Sequence, residues 1–199
     1  YGHTVVYPEF YEKLKDLKIS IVPGNPQGYI QKKMQMFNNT VGYASQELGG
    51  NLIVREQWLE NPIWDIYILL NCEEADKIAE MIMENRCVYI PYLGKNDHLA
   101  DICNSEIVEL ETTSCENTVL SCLYLKKDGK LGIADDEDED EWEDDEEDAP
   151  EFKYEEKLPI GIDDYLNLYQ YETFCYTNMK VILKEKNILK TENRRLVFY

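Results

Sequence analysis

Trp64–Ile102 reads WDIYILLNCEEADKIAEMIMENRCVYIPYLGKNDHLADI. Trp64–Leu70 predicts a strand with Trp64, Ile66, Ile68 and Leu70 on one face, and Leu69 implies that the other side is partly covered. Asn71 is placed to N-cap a helix over Glu73–Glu84, with Glu73 and Glu74 at the positive end of its dipole. Ala75, Ile78, Ala79 and Ile82 form its apolar stripe. Asn85 marks the stop, and Cys87–Ile90 predicts a second strand, ended by Pro91. Tyr92-Leu93-Gly94 turns the chain into a polar cluster, Lys95-Asn96-Asp97-His98. A helix of about three turns suits a crossover between parallel strands, so the stretch predicts a β-α-β unit.

In ferredoxin-like sheets a third strand lies between the two strands of such a unit, usually the first strand of the domain. Thr4–Tyr7 (TVVY) is short: either it fills the gap poorly, or the natural chain begins further upstream. An empty slot would leave two strand edges unpaired, so the expectation is that the natural chain begins further upstream than Tyr1.

Upstream of Trp64, Tyr7–Leu17 predicts a short helix, with Pro8 at its start and Phe10, Leu14 and Leu17 at helical spacing. Lys18–Pro23 (KISIVP) predicts a strand, and Gly24–Gly28 a loop. Tyr29–Asn51 supports no element assignment; Lys32, Lys33 and the pair Gly49-Gly50 suggest a mobile, mildly basic excursion. Downstream, Glu106–Thr112 and Val119–Lys126 alternate like half-buried strands, and Asp128-Gly129 signals a hairpin into Lys130–Ile133. Leu158–Ile162 resumes ordered sequence. Lys180–Lys184 and Arg195–Tyr199 predict a closing strand pair, with Thr191–Arg194 in the turn.

The chain's 199 residues suit one domain or one domain with an appendage. Its net charge of −20 is uneven: Asp135–Asp148 contains 13 acids, which leaves the remainder at −7. Such a run repels itself and buries no apolar area, so a disordered or solvated segment is expected. Six cysteines without a CxxC pair and two histidines, His3 and His98, give no zinc-type clustering. They predict reduced, partly buried thiols in a cytosolic protein. No apolar run reaches the length of a membrane span and no signal peptide is visible.

Asn61-Pro62 followed by Trp64–Leu70, the helix, VYIPYLGKNDHLADI, and later LPIGID (Leu158–Asp163) with an aromatic segment ending Cys175-Tyr176-Thr177 together resemble one family. It is the RAMP-type CRISPR-associated subunit that caps the 5′ handle of the guide RNA, the fifth-numbered Cas family in its type I-B branch. The resemblance covers roughly Tyr7–Ile107 and Leu158–Tyr199. It implies an α+β fold: a ferredoxin-like (RRM, RAMP) module over residues 1–105 that lacks its first strand and helix. A small β-rich module over residues 106–199 follows, with the acidic run 135–148 as an insertion. The family's opening strand and helix, with their Gly-, Phe- and Pro-rich RNA-facing segments, have no counterpart here.

The resemblance further implies RNA binding without turnover or cofactor. The implied partners are the guide RNA, the adjacent backbone RAMP subunit and the large subunit, with target DNA engaged only indirectly. RNA ends are held by stacking, by cations on phosphates and by contacts to 2′-hydroxyls. The candidates are Tyr92, Gly94, Lys95, Asn96 and His98 from the turn and Lys32, Lys33 and Arg55 from the earlier excursion. Each has a plainer reading. Tyr89 and Tyr92 suit packing at a sheet edge, Gly94 suits a positive-φ turn position, and the lysines suit solvated surface. Arg55 can pair with Glu47 or Glu56, and His98 can be capped by Asp97 or Asp101. Two other functions compete with guide binding. Between them, Lys95 and His98 formally supply the base and the cation that a metal-independent endoribonuclease needs, and the acidic run is suited to a protein-interaction module. That run cannot sit against RNA, since both are polyanions.

Overall fold

The computed structural model describes residues 9–40, 46, 51–113, 117–132, 150–163, 165–184 and 186–199. The acidic run, Thr4–Tyr7, His3, Glu47, Gly49-Gly50 and Cys115 therefore lie outside the described residues. The fold is α+β and strand-rich. Helix α1 (Glu9–Leu14) leads into β1 (Ile19–Pro23) and a single 3-10 turn at Pro26–Gly28. Strands β2 (Gln31–Asn38), β3 (Ile53–Glu60) and β4 (Trp64–Ile68) precede α2 (Glu73–Met83).

β4 pairs antiparallel with β1, from Ile19 opposite Ile68 to Pro23 opposite Trp64. Residues directly opposed across a pair share a face, so buried Ser20 and Val22 lie on the face of Tyr67 and Asp65. Tyr67 packs against the core, whereas Ile66 is 61% exposed. The core therefore sits on the side opposite to that predicted from Trp64, Ile66, Ile68 and Leu70. Large apolar groups occupy both faces of β4, and alternation alone cannot choose between them.

α2 matches its predicted span, but its N-cap is Cys72, without a side-chain capping bond, in place of Asn71. The Asn71 N–H instead donates to Leu69 O at 3.0 Å. Asn85 ends the helix with φ 53°, in the left-handed region that asparagine tolerates. The predicted second strand does not form. Cys87–Ile90 lies in no strand, and Val88, Tyr89 and Ile90 are 79%, 84% and 66% exposed. A β-type run becomes a strand only beside a ladder partner. Among the described residues β4 has β1 as its sole partner, and no strand lies beside Cys87–Ile90. Tyr89 accordingly packs at no sheet edge.

The stretch left unassigned between Tyr29 and Asn51, expected as a mobile excursion, contributes a strand. β2 pairs with β3 over eight residues each, from Gln31 opposite Glu60 to Asn38 opposite Ile53. Its polar, methionine-rich residues alternate between two faces that are both partly open, which hides the period.

The C-terminal half is built around the long strand pair Lys153–Ile162 and Tyr169–Thr177, with short strands that exchange partners around it. β5 (Glu111–Thr113), β6 (Thr118–Val119), β7 (Tyr124–Leu125), β8 (Gly129–Leu131), β9 (Lys153–Ile162), β10 (Tyr169–Thr177), β11 (Lys180–Leu183), β12 (Ile188–Lys190) and β13 (Arg195–Leu196) form three sheets, ordered β7-β10-β9, β6-β11-β8 and β13-β12-β5. Arg195–Leu196 thus pairs with β12 and not with Lys180–Leu183 as expected. The Thr191–Arg194 turn forms as expected, with Thr191 N–H donating to Arg194 O at 3.0 Å.

Val119–Lys126 reads as one strand but breaks in the middle, because it bonds to four segments in succession. Thr118 and Val119 pair with β11, and the Ser121 N–H donates to Arg195 O at 2.9 Å. The Leu123 N–H donates to Ile21 O at 2.8 Å, and Tyr124 and Leu125 pair with β10. The Asp128-Gly129 turn forms, yet the strands on either side of it join different sheets.

Those partner changes place the core. Val22, Leu120, Cys122, Tyr124, Cys175, Val181, Ile188, Leu196 and Val197 are buried in one cluster, with Tyr67, Phe198 and Tyr199 packed around it. β1 is held from its outer side by the C-terminus: Ile19 N–H donates to Tyr199 O at 3.0 Å and Tyr199 N–H returns to Ile19 O at 3.1 Å. One core thus draws residues from both sides of the 105/106 boundary. Burial raises the thiol pKa values of Cys122 and Cys175. All five described cysteines are free thiols, with Cys87 and Cys103 exposed.

Candidate nucleic-acid interface

The turn that follows α2 is tightly organised. Leu93 N–H donates to His98 O at 2.7 Å, His98 N–H to Lys95 O at 3.0 Å, and Ala100 N–H to Pro91 O at 2.9 Å. Tyr92 and Leu99 form an isolated antiparallel bridge across its base. Gly94 has φ 80°, which a β-carbon disfavours, and added atoms there would meet nothing within 4 Å. The space over Gly94 is therefore open to a ligand.

This turn docks on one face of the β2–β3 hairpin. That face carries Gln35 opposite Glu56, Lys33 opposite Trp58 and Phe37 opposite Val54. The His98 ring meets the Trp58 ring edge-on, with centroids 4.7 Å apart. The Lys95 ammonium pairs with Glu56 and lies 5.5 Å from the Phe37 ring centroid. Trp58 Nε1 donates to the same Glu56 carboxylate at 3.0 Å. The hydrogen bond from Lys95, then that from Trp58, lowers the Glu56 pKa.

The structure thus divides the eight sequence-derived candidates. Tyr92, Gly94, Lys95, Asn96 and His98 share the turn, and Lys33 joins them from the hairpin face on which the turn sits. Tyr92 is 54% exposed, and Asn96 and Lys33 are also exposed. Lys32 and Arg55 lie on the opposite face. Lys32 is bound to Glu156 of β9 at 3.1 Å. Arg55 stands opposite Met36, exposed, and makes no ion pair among the described residues. Its neighbours on that face include Met34, Met36 and Ile53, which are 60%, 63% and 67% exposed. Glu56 takes Lys95, not Arg55, as its partner.

Trp58 and Phe37, which help to seat the turn, were not singled out in the sequence, and Glu56 was named there only as a possible partner of Arg55. The β-type run Leu52–Trp58 is the local signal for Glu56 and Trp58, and Phe37 has none. His98 lies 3.9 Å from Asp97, a weak contact. Among the described residues no group of three or more His, Cys, Asp or Glu is placed to hold a metal ion, and no helix is long and apolar enough to cross a membrane. No family model, curated protein or solved structure matches the chain significantly.

Proposed function

We propose that this chain binds the 5′ handle of a guide RNA as the RAMP subunit of a type I-B-like CRISPR surveillance complex. One observation carries the reading. The PYLGKNDH turn is closed by its own hydrogen bonds and seated on the β2–β3 hairpin, and together they carry Lys33, Tyr92, Asn96 and His98 beside an open glycine. A lysine, an exposed ring and a carboxamide beside an open glycine suit single-stranded RNA. The exposed Met34, Met36 and Ile53 face, with Arg55 at its centre, is suited to a neighbouring subunit.

Fluorescence anisotropy with an eight-nucleotide handle RNA and its DNA counterpart tests this. RNA is expected to bind at least about tenfold more tightly than DNA, because the 2′-hydroxyl is part of the recognition. Lys33→Gln combined with Tyr92→Ala should weaken RNA binding by about tenfold or more. Equal affinity for both nucleic acids, or a double variant that binds like the parent, sinks the proposal. Specific cleavage of repeat RNA in EDTA, lost in His98→Ala, would put an endoribonuclease in its place.

A further inference from the structure

A groove of about 480 Å³ lies between the 3-10 turn, the start of β9 and the β12–β13 turn, and it shares no residue with the turn after α2. Its volume falls within the range of small-molecule sites, about 300–1,000 Å³. Phe152 and Tyr176 form its aromatic wall, with ring centroids 5.5 Å apart. Gln27, Asn178 and Asn193 bring carboxamides, and Arg194 brings a guanidinium. No acidic side chain lines it, in a chain with 40 acids and 20 bases.

The wall is built to hold still. Phe152 N–H donates to Asn178 Oδ1 at 2.9 Å, and Thr177 Oγ1 donates to Phe152 O at 2.5 Å. A β-carbon at Gly28 would come within 2.2 Å of the Tyr176 ring, so the 3-10 turn lies directly against it. Arg194 is oriented by Asp65, with Nη2 to Oδ2 at 3.0 Å. The side-chain amides of Gln27 and Asn193, in contrast, make no hydrogen bond among the described residues.

We propose that this groove binds a nucleotide. Aromatic faces stack on a base, free carboxamides match the donor and acceptor edge of a base, and a guanidinium matches phosphate. An amino acid would need a carboxylate for its ammonium, and the lining offers none. The nucleotide can come from two sources, a free mononucleotide or one residue of a single-stranded RNA.

The test is amide chemical-shift mapping on the full ¹⁵N-labelled chain, titrated separately with AMP, adenosine and hexa-adenylate RNA. AMP is expected to shift the amides of Gln27, Tyr176, Asn193 and Arg194. Adenosine should bind about tenfold more weakly, the value of one charge-assisted contact. Arg194→Gln should cost AMP about the same factor. Asn193→Asp adds a carboxylate to the groove without breaking a side-chain bond, and should abolish the groove shifts while the remaining spectrum is retained. Tighter binding of hexa-adenylate than of AMP assigns the groove to a strand, and the reverse assigns it to a free nucleotide. Absence of groove shifts with both AMP and hexa-adenylate overturns the proposal. Shifts confined to Tyr92–His98 overturn it too, while leaving the handle-binding role intact.

Discussion

Lys95, in the turn after α2, forms an ion pair with Glu56 near the middle of β3, and the same carboxylate accepts a bond from Trp58 Nε1 at 3.0 Å. One acidic group therefore anchors the turn and also offsets the charge that the turn would present to RNA. Glu56→Gln should leave Lys95 free to meet phosphate, raising single-stranded RNA affinity about fivefold at low salt and steepening the salt dependence by up to one counterion. Anisotropy across a salt series reads both quantities. A fall in affinity would mean that Glu56 matters more as an anchor than as a screen.

Glu155 gives the clearest acid response. Hydrogen bonds from Lys126 and Lys153 hold its carboxyl at about 2, against an ordinary value of 4.5. A carboxylate depressed in the folded state contributes stability that is fully present above its unfolded value. That contribution is lost as pH falls from 4.5 towards about 2. Glu155→Gln should therefore destabilise the protein near pH 7 and have little effect near pH 2, so the two melting curves converge on acidification. Parallel curves across that window would contradict the assignment.

Gly28 and Gly94 both have positive φ, 67° and 80°, but differ in what surrounds them. An alanine methyl at Gly28 would enter the Tyr176 ring, whereas at Gly94 it would meet open space. Gly94→Ala should cost only the backbone strain, about 1 kcal/mol. Gly28→Ala adds overpacking and should cost about 3 kcal/mol in all. Thermal unfolding should show the larger drop at Gly28, by about 5 °C or more. Equal losses would show that the 3-10 turn yields without displacing the ring.

The contrast between β1 and Cys87–Ile90 shows where sequence pattern stops being informative. Ile19–Pro23 was legible because its residues have partners on both sides, β4 on one and Tyr199 and Leu123 on the other. Val88, Tyr89 and Ile90 have the same β-type composition but no neighbouring strand, and remain exposed. Local preference is shared by both, and tertiary pairing separates them. The β2–β3 hairpin was hidden for a related reason: with Met34 and Met36 on an open face, neither side looks like a core. For the candidate site, the pairing register groups Lys33 with the turn residues and puts Lys32 and Arg55 on the opposite face of the hairpin, which the sequence alone does not reveal. Which face a residue occupies depends on the pairing register, and a one-residue change in register reverses it.

Val22 and Leu196 are both fully buried in one cluster, although they come from opposite ends of the chain. Leu196→Ala should cost about 3 kcal/mol through lost contacts and the cavity left behind. If residues 1–105 and 106–199 opened independently, that loss would be confined to the C-terminal strands. The cross-bonds between Ile19 and Tyr199 and from Leu123 to Ile21 predict otherwise. Hydrogen exchange is the measurement: Leu196→Ala should speed exchange of the Ile19 amide about as much as that of Val197, by about a hundredfold where exchange needs global opening. Val22→Ala should act on both amides in the same way, with a smaller factor because fewer methyl groups are removed. Retained protection at Ile19 in Leu196→Ala would show two separately opening units sharing an interface.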